Sequence, residues 1–164
     1  HILDVARFLF GEAERLTCET HRVHADIRGE DVATVMLRTA GGMTVTVEMS
    51  YASRTEHERF PEVTIHVEGT EGSLELAPDY WVRETTAVGT MSRRCPPPYY
   101  AWADPRYALI HSSIVACHEN LLPALHGTAT AETTGADNLE TLRLVYGAYE
   151  SAATGRTVQP HATH

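Results

Sequence analysis

The sequence predicts an α+β fold, in which helices pack on one face of an open, mostly antiparallel β-sheet. In the first half of the chain, apolar and polar residues alternate with the period of two that is typical of strands with one buried face. Short glycine-containing turns join these runs, so successive strands are expected to pair antiparallel. Apolar residues of the last third recur at helical spacing instead. This separation of strands from helices along the chain favours α+β.

A short helix is expected over residues 1–10, because apolar residues recur there at helical spacing and Gly11 stands where a C-cap belongs. The helix begins without a cap residue or a preceding turn, which suggests that earlier chain is missing. Glycine turns are expected at 40–42 and 69–72. The expected strands cover residues 16–24, 31–39, 43–51, 62–68, 72–76 and 81–87.

Residues 88–103 are expected to be irregular, because three consecutive prolines follow Cys95. A helix is then expected over 105–126, with Asp104 as its N-cap and a proline at its first position. Pro123 should kink or shorten this helix. Its expected buried stripe comprises Ile110, Ile114, Cys117, Leu121 and Leu125.

A last helix is expected over 137–154. Asp137 and Glu140 form a capping-box pattern, and Gly155 ends the helix. Its expected apolar face comprises Leu142, Val145, Tyr146, Tyr149 and Ala152.

Composition predicts one soluble domain over residues 1–160, since 164 residues suit a single core. The net charge of −9 argues against nucleic acid as a partner. No apolar run reaches the length of a membrane span, so no membrane partner is expected. Three widely spaced cysteines suit a reducing compartment, and the expected location is the cytoplasm. All 13 basic residues are arginine, which excludes lysine chemistry within the chain.

Several segments, in the same order along the chain, resemble one family: the glucose–fructose oxidoreductase, inositol dehydrogenase and MocA-like oxidoreductases. The opening helix starts with a histidine and has an aspartate three residues on, as in that family. The other segments that carry the resemblance are 30–34, 68–75, 111–127, 137–142 and 149–155.

The resemblance implies the C-terminal domain of a two-domain enzyme that interconverts hydroxyl and carbonyl groups on a sugar, an inositol or a related polyol. In the family, an N-terminal Rossmann domain binds NAD or NADP. That domain is absent from this chain, so neither a bound cofactor nor cofactor-binding residues are expected here. Gly41 and Gly42 cannot form a dinucleotide site, because no helix follows them. The resemblance also implies a homo-oligomer formed through the open sheet face.

His1 matches a histidine that is catalytic in many members of the family, and imidazole exchanges protons near neutral pH. His1 is therefore the expected catalytic base; the alternative is that it is only the first ordered residue, or a non-catalytic position. Asp4 lies one turn further on the same helix and is a candidate for substrate binding, although it could be simply solvated. Tyr99, Tyr100 and Trp102 are the other candidates, in an aromatic loop that could line a sugar site or pack over the sheet.

His111, His118 and His126 lie too far apart along a helix to share one ion, so no metal site is expected. Two alternatives to the enzyme domain remain open: a non-catalytic module for dimerisation or ligand binding, and a metal-dependent hydrolase. Five residues on the polar faces of strands would be exposed, or would lie in an oligomer interface: Thr44, Thr46, Glu48, Thr64 and His66.

Overall fold

A computed structural model describes residues 1–54 and 63–161 of the chain. They fall into two compact units: the first comprises His1–Thr55 and Thr133–His164, and the second comprises Glu56–Glu132. Each unit is described separately below. Helices and separate antiparallel strands confirm the predicted α+β class. The strands form two sheets, however, where a single sheet was expected.

The helices and strands follow the predicted order. The helices are α1 (Ile2–Phe10), α2 (Ala108–Leu125) and α3 (Gly135–Thr154). The strands are β1 (Ala13–His21), β2 (Val32–Thr39), β3 (Thr44–Ser50), β4 (Ile65–Glu68), β5 (Gly72–Ala77), β6 (Trp81–Thr86) and β7 (Gly89–Arg94). Residue 62, which was expected to begin a strand, lies outside the described residues.

The first unit contains a three-stranded antiparallel sheet in the order β1-β2-β3, on which α1 and α3 pack. The alternation predicted for β3 is confirmed, with Val47 buried and Glu48 exposed. Gly42 adopts a φ of 85° in the turn between β2 and β3, as the sequence indicated. The buried core comprises Leu3, Ala6, Ala13, Leu16, Cys18, Val35, Leu37, Val47, Leu144, Ala148 and Val158.

The second unit contains a four-stranded antiparallel meander in the order β4-β5-β6-β7. The expectation that residues 88–103 are irregular is wrong for Gly89–Arg94, which form β7. All six residues of β7 are exposed. Because neither face of the strand is buried, its sequence does not alternate between apolar and polar residues. Backbone pairing with β6 through a two-residue turn holds this strand in place.

The apolar stripe of α2 is exposed, contrary to expectation. Asp104 caps a short 3-10 turn before α2, where its carboxylate accepts the Arg106 backbone N–H at 3.0 Å. The helix continues for two residues past Pro123. Each of the 18 described residues of α2 is at least partly exposed, and Leu125 is 73% exposed. Helical spacing revealed an apolar face, but it could not reveal whether this chain covers that face.

The buried face of α3 also differs from the expected one. Its N-cap is Thr134, and Asp137 occupies the third helical position. Tyr146 and Tyr149 are exposed, whereas the buried residues are Thr141, Leu144, Gly147, Ala148 and Ser151. Most of these side chains are small, which lets the helix lie close to β1. Gly155 ends the helix in the left-handed conformation, as predicted.

Candidate functional site

The start of α1 presents the predicted catalytic histidine to solvent. His1 is the N-cap residue, and its carbonyl accepts the Val5 backbone N–H at 2.9 Å. Its imidazole takes no capping bond from the described residues and is exposed. Asp4 is the third residue of the helix, and three residues correspond to a rise of about 4.5 Å along the axis. Both sequence candidates therefore lie on the first turn of one helix.

Asp4 belongs to a hydrogen-bonded network that joins α1 to α3. Its Oδ1 accepts the Thr141 hydroxyl at 2.5 Å. The same oxygen lies 3.5 Å from Nη1 of Arg7. Thr141 is buried on α3, so the carboxylate of Asp4 is held by side chains rather than solvated on all sides. The candidate for substrate binding thus has a fixed position.

Arg7 is the centre of this network, and its side chain is only 10% exposed. Its Nε donates to Glu12 Oε1 at 2.8 Å, and its Nη1 donates to the Thr141 hydroxyl at 3.1 Å. Nη1 and Nη2 reach both carboxylate oxygens of Asp137, which forms a forked ion pair. Fork geometry makes such arginine–carboxylate pairs stronger and more directional than single hydrogen bonds.

The ion pair between Arg7 and Asp137 stabilises the charged forms of both groups. The hydrogen bond from Arg7 holds the pKa of Asp137 below its usual value. The hydrogen bonds that Arg7 donates to Asp137, and then to Glu12, raise the pKa of Arg7, although burial opposes this. Asp137 also lies in the first turn of α3, where the helix dipole favours a negative charge. Asp137 was expected to cap α3, but its partner, which lies 130 residues away, was not predicted.

An aromatic cluster in the second unit contains two of the predicted substrate-binding residues. The rings of Tyr100 and Trp102 lie 5.3 Å apart between centroids. His111 meets Trp102 edge-on at 5.6 Å and Tyr107 at 6.4 Å. Trp102 and Tyr99 remain largely exposed. Tyr107 and His111 were not predicted as members, although their spacing of four residues at the start of a helix was a usable signal.

Asp31 and His24 form a hydrogen-bonded pair that was not predicted from the sequence. Asp31 is buried and accepts the backbone N–H groups of Val23 and His24 at 2.7 and 2.8 Å. Nδ1 of His24 lies 2.7 Å from the same carboxylate. These hydrogen bonds lower the pKa of Asp31 to about 2, and the one from the Val23 backbone N–H contributes most. The pair closes the loop between β1 and β2, and only its spacing of seven residues could have indicated it.

The remaining candidates do not assemble into a site. Within residues 1–54 and 63–161, no three histidine, cysteine, aspartate or glutamate side chains could share a metal ion. Cys18 is buried in β1, and burial raises the pKa of its thiol. Cys117, expected in the core, is exposed together with the rest of its helical stripe. In the described part of the chain, no helix is long and apolar enough to cross a bilayer.

The residues present do not fit a dinucleotide cofactor. Every strand pair among the described residues is antiparallel, whereas dinucleotides bind at parallel βαβ units. Gly41 and Gly42 lie in the hairpin between β2 and β3, so no helix N-terminus follows them to receive a phosphate. The described residues therefore contain no dinucleotide site of the βαβ kind.

Comparison with known proteins identifies the family. The profile of the GFO/IDH/MocA C-terminal domain matches residues 1–75. A D-apiose dehydrogenase from Paraburkholderia graminis is 43% identical over 159 residues, which cover 97% of this chain and 42% of that protein. The chain belongs to the GFO/IDH/MocA family. A second D-apiose dehydrogenase, from Rhizobium rhizogenes, is 40% identical and is matched over 96% of this chain and 46% of its own length.

A solved structure agrees with this family membership. An oxidoreductase from Agrobacterium radiobacter, in complex with NAD+, L-tartaric acid and magnesium, matches with a TM-score of 0.91 at 40% identity. The match covers 96% of this GFO/IDH/MocA domain and 46% of that chain. The domain thus spans less than half the length of the relatives that it matches.

Proposed function

We propose that this chain is the substrate-binding and oligomerisation domain of an NAD(P)-dependent oxidoreductase that acts on a sugar, an inositol or a related polyol. The observation that carries this proposal is the 43% identity to a D-apiose dehydrogenase over 97% of the chain. D-Apiose is therefore the first substrate to test. The three cysteines are free, which suits the proposed cytoplasmic location.

His1 is the proposed general base. Oxidation of a secondary alcohol to a carbonyl requires that the hydroxyl proton be removed, and an imidazole is suited to this near neutral pH. The exposed imidazole at the start of α1 is free to reach a substrate hydroxyl. Asp4, on the same turn, is the proposed partner for a second hydroxyl of the sugar.

The cofactor, NAD or NADP, is proposed to bind mainly to a Rossmann domain that is not part of this chain. It supplies the acceptor for hydride when bound. The proposed part of this chain's own residues is to bind the sugar and to remove its hydroxyl proton.

The aromatic cluster is the proposed platform for the apolar face of the sugar ring. Tyr99, Tyr100 and Trp102 present ring surface to solvent, and aromatic rings commonly pack against such faces. Trp102 contacts both Tyr100 and His111, so its ring is supported on two sides.

The proposed homo-oligomer would form through an open sheet face. The proposed interface is an apolar face of the second sheet rather than the polar residues of β3. Leu74 and Met91 project from this face and are 49% and 63% exposed. Burial of such residues between two copies would remove apolar surface from water, as homo-oligomer interfaces do.

The experiment is a kinetic comparison of the full-length protein with a His1→Asn variant, with D-apiose, other aldoses and inositols as substrates. We expect wild-type protein to reduce NAD or NADP with at least one of them. The variant should lose about 10²- to 10⁴-fold in kcat, the usual contribution of a general base, with little change in KM.

His118→Gln is the matched control, because His118 is an exposed histidine on α2. It should retain wild-type kcat. An active His1→Asn variant would remove His1 from the mechanism without removing the oxidoreductase. Wild-type protein that assembles but oxidises none of these substrates would instead support a non-catalytic dimerisation module.

A further inference from the structure

We infer that Arg7 and Asp137 are positioning residues for catalysis: their ion pair fixes α1, and with it His1 and Asp4, against α3. This inference rests on the proposed function of His1. Arg7, whose side chain is largely buried, lies six residues along the helix from the proposed base, and its ion pair with the half-buried Asp137 would hold that base in place.

The position of α1 depends on few contacts. The helix has nine residues, too few to be stable without tertiary contacts. Its buried side chains are Leu3 and Ala6, and Ile2 and Phe10 pack partly buried against the same core. This apolar packing turns one face of α1 towards the core. The polar network around Arg7 adds a more exact constraint, because its hydrogen bonds are directional.

The network ties α1 to α3 at two points. Both Nη atoms of Arg7 donate hydrogen bonds to the carboxylate of Asp137. Thr141, one turn further along α3, is hydrogen-bonded to both Arg7 and Asp4. The network therefore includes the same turn of α1 that begins at His1. A change at Asp137 would be transmitted through Arg7 and Thr141 to Asp4 without any contact between Asp137 and a substrate.

The charges of the network make it sensitive to substitution. Arg7 is surrounded by the carboxylates of Asp4, Glu12 and Asp137. Loss of the guanidinium would leave these three like charges together, and they would repel one another. Loss of Asp137 would leave a largely buried cation with only the exposed Glu12 and the more distant Asp4. Either change is expected to release α1 from its position.

The test uses the full-length enzyme with Arg7→Gln, Arg7→Lys and Asp137→Asn. Misplacement by 1 Å can reduce catalysis about 10²-fold, so Arg7→Gln and Asp137→Asn should lower kcat by roughly 10- to 100-fold. KM should rise as well, because the same change displaces Asp4, the proposed partner of a sugar hydroxyl. Lysine keeps the charge but lacks the fork, so Arg7→Lys should recover part of the loss. The double variant Arg7→Gln with Asp137→Asn should lose no more than the larger single loss, since both remove one interaction.

The matched control is Arg143→Gln, which removes an exposed ion pair with Glu140 on the same helix, at 2.7 and 2.8 Å. It should leave kcat unchanged. Hydrogen exchange provides a second measurement that does not depend on activity. Amides of residues 5–10 should exchange faster in Arg7→Gln and Asp137→Asn, whereas those of β2 should not.

The outcomes separate the two proposals. If His1→Asn abolishes activity but the Arg7 and Asp137 variants behave like Arg143→Gln, the positioning role is wrong and the proposed function stands. Unchanged exchange of the α1 amides would overturn the positioning role by itself. Wild-type enzyme that oxidises no sugar or polyol would overturn both proposals. Equal losses of kcat and protection across the whole chain would indicate a purely structural role, and this too would overturn the inference.

Discussion

At the scale of single residues, the charges of Arg7 and Asp31 are matched by directed hydrogen bonds with nearby groups. Arg7 has partners on each nitrogen of its guanidinium, and Asp31 accepts three bonds within one loop. Such bonds stabilise the ionised form of each group, so the stability of the fold should depend on pH.

The stabilisation that Asp31 provides should fall as the pH is lowered. Its pKa in the folded chain is about 2, below its ordinary value of 3.8. The stabilisation that the carboxylate provides is therefore fully present above about pH 4 and is lost as the pH falls through about 2. Asp31→Asn should lower the melting temperature by several degrees at neutral pH, and this difference should shrink as the pH is lowered below about 4.

Thermal unfolding followed by circular dichroism, between about pH 7 and pH 2, measures this difference. Asp26→Asn, an exposed aspartate in the same loop, is the control and should melt like wild type throughout. A difference between Asp31→Asn and wild type that is constant over this range would contradict the assigned role of the carboxylate.

Residue identity in the sequence pointed to candidates but not to their partners. His1 and Asp4 were selected from their place at the start of a helix, and they do lie on its first turn. Asp137 and Thr141 were not linked to them, because a contact across 130 residues leaves no local pattern. Asp31 was missed for a related reason: a buried carboxylate that accepts hydrogen bonds within a loop leaves no periodic pattern in the sequence.

At the scale of helices and strands, two glycines illustrate how close approach limits substitution. A Cβ at Gly147 on α3 would lie 3.5 Å from side-chain atoms of Leu16 and Val158, which is ordinary contact. A Cβ at Gly72 on β5 would lie 2.2 Å from the backbone oxygen of Thr85 on β6, which is impossible without movement of the backbone. The two positions should therefore respond to alanine in opposite ways.

Gly147→Ala should raise the free energy of unfolding by roughly 0.5–1 kcal/mol, because alanine favours the helix and fits the space. Gly72→Ala should lower it by about 1–3 kcal/mol, because the β5–β6 pairing must shift. Urea unfolding of both variants beside wild type measures these changes. A Gly72→Ala variant as stable as wild type would show that the two strands do not approach so closely.

Elements with strong patterns were predicted well, and elements without them were not. The alternation in residues 43–51 and the glycine at position 11 led directly to β3 and to the end of α1. β7 was missed because an exposed edge strand has no apolar face to alternate. The buried stripe of α2 was predicted wrongly. For α3 the prediction was right in part: Val145 and Ala152 pack against the core, whereas Tyr146 and Tyr149 are exposed. Apolar spacing identifies the more apolar side of a helix, but the small residues of α3 decide which side can lie against β1.

At the scale of the whole molecule, the second sheet carries apolar surface that its own unit leaves partly open. Val67, Leu74, Glu84 and Met91 stand in one row across the four strands. The neighbouring row on the same face contains Ile65, Leu76, Val82 and Arg93. The face is thus mainly apolar with a charged residue in each row, a composition that suits a contact surface better than a free one.

We expect this apolar face of the second sheet to be the contact between copies of the protein. Leu74→Glu combined with Met91→Glu should convert an assembled full-length protein into smaller species, because the charges would be buried without partners in the interface. Sedimentation velocity over a range of protein concentrations measures the change in mass. Ser92→Glu is the control: it adds one glutamate to β7 beside Met91, but strand alternation turns it to the opposite face. It should leave assembly intact while the double variant dissociates. If wild-type protein sediments as a monomer at all concentrations, or if the control dissociates as readily as the double variant, the apolar face of this sheet is not the contact between copies.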